Sequence, residues 1–408
     1  MHILVVSSLL PDPNPSTGFE IANRAILEAY RRQGVRLTFV GYRRPDAAIP
    51  ADSICLGELA IENAGASTLR KAAWVGAALG RHMPVCVAKV ARLSEAEMRA
   101  AVLKAGPFDA VVVSSIQMLA AYPFLMRDHP CAYVAHNVEH RSASENAANA
   151  ETIVDRLLYR REAALLKSLE AEACAKADVV HVLSEADKTG LGLDDDPRAI
   201  TLPLVVGRHP APDDGMRHQD VGLIGTWSWA PNRIGLVWFL EEVAPLLPGG
   251  IDVAIAGRLD DNLPSVPKNA RLLGRVESAE DFVRGSRVLA LATKAGTGIQ
   301  LKTLEAFEEG MPAVATSRAL RGVTRMPANV RLANSAHDFA SALTDLVQAE
   351  RAGEIGRLDG RAFAKAQEAG LDKAIAAGLA LLNGDKARAG SSSAQRPHPS
   401  PEPYSEVA

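Results

Sequence analysis

The sequence predicts an α/β fold built from two tandem units with parallel sheets, and three features carry that expectation. Strand-length runs rich in Val and Ile alternate with longer amphipathic stretches, the mark of strands covered on both faces. The alternation stops at LPLVVGRHPAPDDG, where Pro, Gly and Asp accumulate as in a linker, and then restarts. At 408 residues the chain is also too long for one ordinary core, given roughly 150 residues per domain.

In the first half the expected strands are HILVVSS, RLTFVGY, DAVVVSS, CAYVAHN and DVVHVLS, with helices at FEIANRAILEAYRRQ and DRLLYRREAALLKSLEAEACAKA. The second series is VGLIGTW, IDVAIAGR, ARLLGRV, RVLALAT and PAVATS, with helices at IGLVWFLEEVAPLL and QLKTLEAFEEG. The tail KARAGSSSAQRPHPSPEPYSEVA is rich in Ser and Pro and holds almost no large apolar residue, so it is expected to be disordered and to carry no catalysis. The expected division is 1–205, 206–360, C-terminal helices over 361–385, and a tail over 386–408.

Hydrophobic residues make up 48% and charged residues 23%, the balance of a soluble globular protein. Lys and Arg total 45 against 48 Asp and Glu, a net charge of -3, so no basic field advertises nucleic acid. The four cysteines, Cys55, Cys86, Cys131 and Cys174, are far apart and form no CxxC pair, which fits a reducing cytoplasm better than a disulfide framework. MHILVVSSLLPDP lacks a positive segment ahead of its apolar run and reads as a buried strand, not a signal peptide. No stretch reaches the ~18 to 20 apolar residues that span a bilayer.

The segment LATKAGTGIQLKTLEAFEEGMPAVATS, 291–317, reads strand, glycine turn, helix, glycine stop, strand. Gly310 suits a C-cap, Pro312 follows it, and Leu301, Leu304 and Phe307 recur at helical spacing. A helix beginning just after Gly298 would turn the N–H groups of Ile299, Gln300 and Leu301 outward at the positive end of its dipole, a setting that binds phosphate. Gly296 and Gly298 would let a diphosphate approach the backbone. Lys302 and Glu305, one turn apart, could serve phosphate and hydroxyls. The bland alternative is a tight turn followed by a solvent-facing Lys–Glu pair. A Walker loop is excluded because Leu301 precedes Lys302, and a dinucleotide fingerprint because Leu301 stands where its third glycine would.

AHNVEH places His136 and His140 four apart, a spacing that invites zinc. A metalloprotease helix needs Glu directly after the first histidine, but Asn137 stands there and Glu139 comes too late. No metal site is expected. CAYVAHN ends a strand, so His136 projects from a carboxyl strand end.

GTGIQLKTLEAFEEGMPAVATSRALRGV closely resembles the donor-site region of the family 4, or group 1, glycosyltransferases. VGLIGTWSWAPNRIGLVWFLEEVAPLL resembles the first strand and helix of their C-terminal domain, AHNVEH their N-terminal histidine segment, and PDPNPSTG their first glycine loop. The resemblance implies the GT-B fold, two Rossmann-like domains facing each other across a cleft, with acceptor side first, donor side second and a last helix packing back on the first domain. It implies a retaining, metal-independent transfer of a sugar from a UDP- or GDP-linked donor, with no cofactor. The implied acceptor is a glycan or polyprenyl-diphosphate-linked hydroxyl in bacterial exopolysaccharide or surface glycan synthesis, reached in the cytoplasm with peripheral membrane contact.

Carried over residue by residue, the resemblance makes His136 the contact to the donor sugar and Glu305 the acceptor of hydrogen bonds from the donor ribose. Gly296, Thr297, Gly298, Ile299, Gln300, Leu301 and Lys302 form the diphosphate turn, with Arg258 and Thr226 beside it. Thr17, Gly18 and Glu139 fall on the acceptor side. Two family positions differ: the first glutamate of Glu-x7-Glu is Thr297, and the basic pair after the first strand of the second domain is replaced by Thr226, Pro231 and Asn232.

Trp227 and Trp229 could stack on a base or sugar, or simply pack. The helix around DRLLYRREAALLKSLEAEACAK is either an ordinary amphipathic surface helix or one that lies on an anionic membrane. Two other classes remain open: a non-catalytic sugar-nucleotide-binding protein, favoured by the missing glutamate and basic pair, and a nicotinamide-dependent oxidoreductase, disfavoured by the missing dinucleotide fingerprint.

Overall fold

The computed structural model describes residues 1–391 apart from 14, 16, 46, 61–65, 208–209 and 260–262. Strands β1 (His2–Leu9), β2 (Arg36–Arg43), β3 (Ser53–Glu58), β4 (Ala110–Ser114), β5 (Cys131–Ala135), β6 (Val179–Val182) and β7 (Ala199–Thr201) form one parallel sheet in the order β3-β2-β1-β4-β5-β6-β7. Strands β8 (Gln219–Thr226), β9 (Val253–Arg258), β10 (Ala270–Gly274), β11 (Ser286–Leu291), β12 (Ala313–Ala315) and β13 (Val330–Leu332) form a second, in the order β10-β9-β8-β11-β12-β13.

Every residue of β1, β4 and β5 is buried, which is why these strands read as continuous apolar runs without alternation. Leu4 and Val6 face one apolar cluster, while Ile3 and Val5 face another under the helix Gly18–Arg32. The edge strands β3, β7 and β13 were not among the expected ones. Two are only three residues long and the third carries Gly57 and an exposed end, so none presents enough apolar sequence to register. In each sheet the order reverses direction between two central strands, β1/β4 and β8/β11, and the carboxyl ends beside such a switch point are where open α/β sheets bind ligands.

The helix Gly360–Ser391 ties the two sheets together. Leu371, Ile375 and Leu382 sit in the cluster with Ile26, Tyr30 and Val179 of the first unit. Phe363, near its start, meets Phe307 of the second unit edge-on at 5.5 Å between centroids. The helix runs to Ser391, past residue 386 where an unstructured tail was expected to begin, and 392–408 lie outside the described residues. Among the described residues, no helix is long and apolar enough to cross a membrane.

Where this helix crosses β6 it covers His181, which is fully buried. The His181 Nε2 lies 3.1 Å from the Tyr30 hydroxyl, and a Cβ on Gly378 would come within 2.7 Å of its ring. Burial pushes the His181 pKa down from 6.5 to about 4. As pH falls through that window the unfolded chain takes up a proton that the folded chain refuses, so stability falls with pH. The expected loss from this residue is on the order of 3 kcal/mol between pH 6.5 and 4. Urea unfolding across that range should show a shallower pH dependence for His181→Asn than for wild type, and equal slopes would remove His181 from the account.

Candidate active site between the two sheets

β5 ends at Ala135, so His136 is the first residue beyond the strand, at the carboxyl edge beside the switch point. Its Nε2 is 2.8 Å from Ser114 Oγ at the end of β4, and that hydroxyl donates to Asn23 Oδ1 at 2.7 Å. The hydroxyl hydrogen is thereby committed to Asn23, so Nε2 carries the proton and donates to Ser114, which leaves Nδ1 as an acceptor. Phe19 covers the ring at 4.6 Å between centroids. Burial lowers the His136 pKa to about 4, which keeps the imidazole neutral near pH 7. Ser115, next after the serine that holds the histidine, has φ 92°, a region non-glycine residues avoid. His140 is engaged elsewhere, its Nδ1 lying 2.7 Å from buried Glu170.

Thr17 caps the helix Gly18–Arg32 in a reciprocal capping box with Glu20, so its hydroxyl is used for structure. Gly18 faces the second unit: a Cβ there would lie 3.4 Å from Leu301 Cδ1. Glu139 opens the helix Glu139–Ala148, and its backbone N–H donates to Glu170 at 2.7 Å. Burial, then the nearby Glu170 charge, push the Glu139 carboxyl up to about 7. Its charge also acts on half-buried Cys86 and buried Tyr133, inside the first unit.

On the facing side the helix spans Leu301–Glu308 with Gln300 as N-cap at φ -100°, ψ 97°. It starts two residues later than the start just after Gly298 that the glycine spacing predicts. Ile299 and Leu301 pack against the apolar cluster of the first unit, which holds this stretch extended across the junction. Gln300 O already accepts from the N–H groups of Thr303 and Leu304, so the N–H groups left to point outward are those of Leu301 and Lys302. Lys302 Nζ lies 3.2 Å from Asn232 Oδ1 and 5.6 Å from the centroid of the Trp227 ring, and burial lowers its pKa to about 8.

Thr226 ends β8, is exposed, and its carbonyl accepts from Asn232 Nδ2 at 3.1 Å. Arg258 ends β9 in register with Thr226 and is likewise exposed. Trp227 is buried with its Nε1 donating to Ala256 O at 2.8 Å, a packing role, whereas Trp229 is 53% exposed. Glu305 lies half-buried one turn beyond Lys302.

Between these two sides sits the glycine loop. Thr297, only 7% exposed, donates to Asn137 Oδ1 at 2.6 Å and shares a 2.5 Å contact with Ser142 Oγ, while Asn137 Nδ2 donates to Ser142 Oγ at 2.8 Å. The three groups close a ring in which each donates once: Asn137 to Ser142, Ser142 to Thr297, Thr297 to Asn137. Beside it Glu145 Oε2 accepts from the Gly296 N–H at 3.0 Å, Glu145 Oε1 pairs with Arg318 at 3.3 Å, and Arg321 donates to Gly296 O at 2.8 Å. Gly296 has φ +93°, which favours glycine. Sequence reasoning missed Asn137, Ser142 and Glu145. Only their polar character beside His136, with 142 and 145 on one helical face, hinted at them.

Because Ser142→Ala and Thr297→Val break the same ring, their costs should not add. Urea unfolding of both singles and the double is expected to give a double-variant cost below the sum by about 0.5 kcal/mol or more. Simple additivity would mean that the ring does not act as a unit.

Residues 218–349 match the family described as glycosyl transferases group 1. No curated protein matches the chain in sequence. Sucrose-phosphate synthase from Thermosynechococcus elongatus is similar in structure, with TM-score 0.57 and 14% identity over 96% of this chain and 100% of that one. HepE from Anabaena in complex with UDP-glucose gives 0.53 and 14%, over 95% and 100%. WaaG, a glycosyltransferase involved in lipopolysaccharide biosynthesis, gives 0.50 and 14%, over 96% and 100%. At such identities the likeness is one of fold. Both units thus share the GT-B fold of these structures, and the stretch 218–349 in the second unit is similar to the group 1 glycosyl transferases.

Proposed function

We propose that the protein moves a sugar, with retention of anomeric configuration and without a metal ion, from a nucleoside-diphosphate sugar to an acceptor hydroxyl. The donor side is 206–360 and the acceptor side 1–205. The observation that carries the reading is Lys302: a half-buried cation at the start of a helix, set beside neutral Asn232, has no balancing anion against it among the described residues. Departure of a nucleoside diphosphate builds negative charge on its terminal phosphate, and the N–H groups of Leu301 and Lys302 with the Lys302 ammonium stabilise that charge. Arg258 and Thr226 extend the same edge. Glu305 accepts from the donor ribose, and neutral His136 accepts a donor-sugar hydroxyl at Nδ1.

Thr297 does not take the role of the missing glutamate, since its hydroxyl is already engaged in the ring. HepE, which shares the fold, is described with UDP-glucose, and this supports a UDP-linked donor here, with a GDP-linked one as the alternative. The acceptor is a glycan or polyprenyl-diphosphate-linked hydroxyl in bacterial surface glycan or exopolysaccharide synthesis, made on the cytoplasmic face of the membrane. In support, the helix Ile153–Lys176 opens with exposed Ile153, Val154 and Leu157 around exposed Arg156 and Arg160, a pairing suited to peripheral contact with anionic lipid. The occupied Thr297 also favours a second reading, a protein that binds the donor without transfer.

Differential scanning with UDP should raise the midpoint of the wild type and raise that of Glu305→Ala much less; an equal shift would take Glu305 out of the site. His136→Ala is expected to bind UDP normally yet lose transfer about a hundredfold or more. UDP binding by the wild type without turnover of any nucleotide sugar would decide for the second reading.

Since Lys302 loses its proton as pH rises through about 8, UDP affinity should fall above that pH. Calorimetric titrations at pH 7 and 9 should differ for wild type and much less for Lys302→Gln. Equal pH dependence in both would place the diphosphate elsewhere.

A further inference from the structure

A cavity of about 450 Å³ opens in the first unit between the helix Gly18–Arg32 and strands β1 and β2. Most of its exposed wall is apolar, from Val5, Leu10, Leu27, Phe39 and Pro50, while Asp12, Glu20, Arg24, Glu28 and Arg31 bring charge to the lining. Two lining residues join it to His136. Phe19 stands between the cavity and the imidazole, 4.6 Å from the latter, and Asn23 accepts the hydrogen bond of the serine that holds the imidazole.

Within the apolar part of this lining sits Ser7. It is 7% exposed, and its hydroxyl has no hydrogen-bond partner among the described residues. Ser7 pairs in register with Ser114, so it lies one strand spacing, about 4.8 Å, from the residue that anchors His136. A hydroxyl buried without a partner destabilises the empty protein, and a ligand that brings a partner removes that penalty.

We propose that this cavity is an acceptor subsite that takes an uncharged alkyl or aryl group, whose linking oxygen meets Ser7 while the hydroxyl to be glycosylated lies on the His136 side of Phe19. The inference rests on the glycosyltransferase reading for the word acceptor, but binding at the cavity can be measured without a donor. Its chemistry fits either a lipid chain or an aromatic aglycone, and the ligands below separate the two.

The full chain is titrated calorimetrically, in the absence of nucleotide, with methyl, hexyl and octyl β-glucosides below their micellar concentrations and with 4-nitrophenyl β-glucoside. Affinity should rise roughly tenfold or more from methyl to hexyl. A further rise to octyl marks a lipid chain, and tighter binding of the aryl ligand marks an aromatic one. Ser7→Ala should weaken the hexyl and aryl ligands about fivefold while raising the thermal midpoint of the empty protein, a pair of opposite changes that a purely structural serine would not give. Ala48→Trp, in the exposed loop over the cavity, should abolish this binding and leave the UDP-induced thermal shift intact. Affinities indifferent to the alkyl group, or unchanged in Ser7→Ala, overturn the subsite while the donor reading stands. Chain-length-dependent binding in a protein that neither binds UDP nor transfers sugar overturns the donor reading and leaves the cavity as a ligand site.

Discussion

The placement of both halves of the site depends on the hydrogen-bond ring of Asn137, Ser142 and Thr297, which joins residues up to 160 positions apart across the junction of the two sheets. Each member donates once and accepts once within the ring, so no polar group is left unpaired where water is largely excluded, and each bond polarises the next. Glu145 and Arg321 fix the Gly296 N–H and carbonyl on the adjoining residue. With the loop held at these points, the start of the helix Leu301–Glu308 has one direction, across the junction from His136. The ring also accounts for the absent glutamate. A carboxylate at 297 could donate nothing to Asn137 Oδ1 and would add a second negative charge near Glu145, so the arrangement and the substitution are one constraint.

That constraint marks the limit of what the sequence could reveal. The central strands were legible because burial on both faces demands unbroken Val- and Ile-rich runs, and His136 was legible because it directly follows one. The edge strands β3, β7 and β13 left no such trace. The helix start was misplaced by two residues because glycine spacing records where the chain can turn, whereas Ile299 is held extended by packing against a cluster from the other unit. Glu139 drew attention by its closeness to the histidine in sequence. The contacts to the glycine loop come instead from Ser142 and Glu145, one and two turns further along the same helix, and only the opposing loop selects that face.

The two sides of the site differ in charge for the same physical reason. Burial works against ionisation of any base, and it drives His136 to neutrality while leaving Lys302 still largely charged at pH 7. A neutral imidazole beside the sugar can orient hydroxyls without attracting the diphosphate, whereas the ammonium opposite, with two helix N–H groups, does attract it. On the proposed function, this asymmetry turns a bound donor with its phosphate towards the second unit and its sugar towards the first.

With that polarity, the proposed acceptor approaches from the first unit, past Phe19 and the end of β1. The groups on this path differ from those on the donor path: Thr17 is spent on its cap, Asn23 on Ser114, and the Ser7 hydroxyl has no partner among the described residues. On the proposed function the donor path offers N–H groups and a cation suited to phosphate, and the acceptor path offers mainly apolar area with the Ser7 hydroxyl set into it. Selectivity between substrates then needs no moving gate, since each substrate would leave its own polar or apolar surface uncompensated in the other's place.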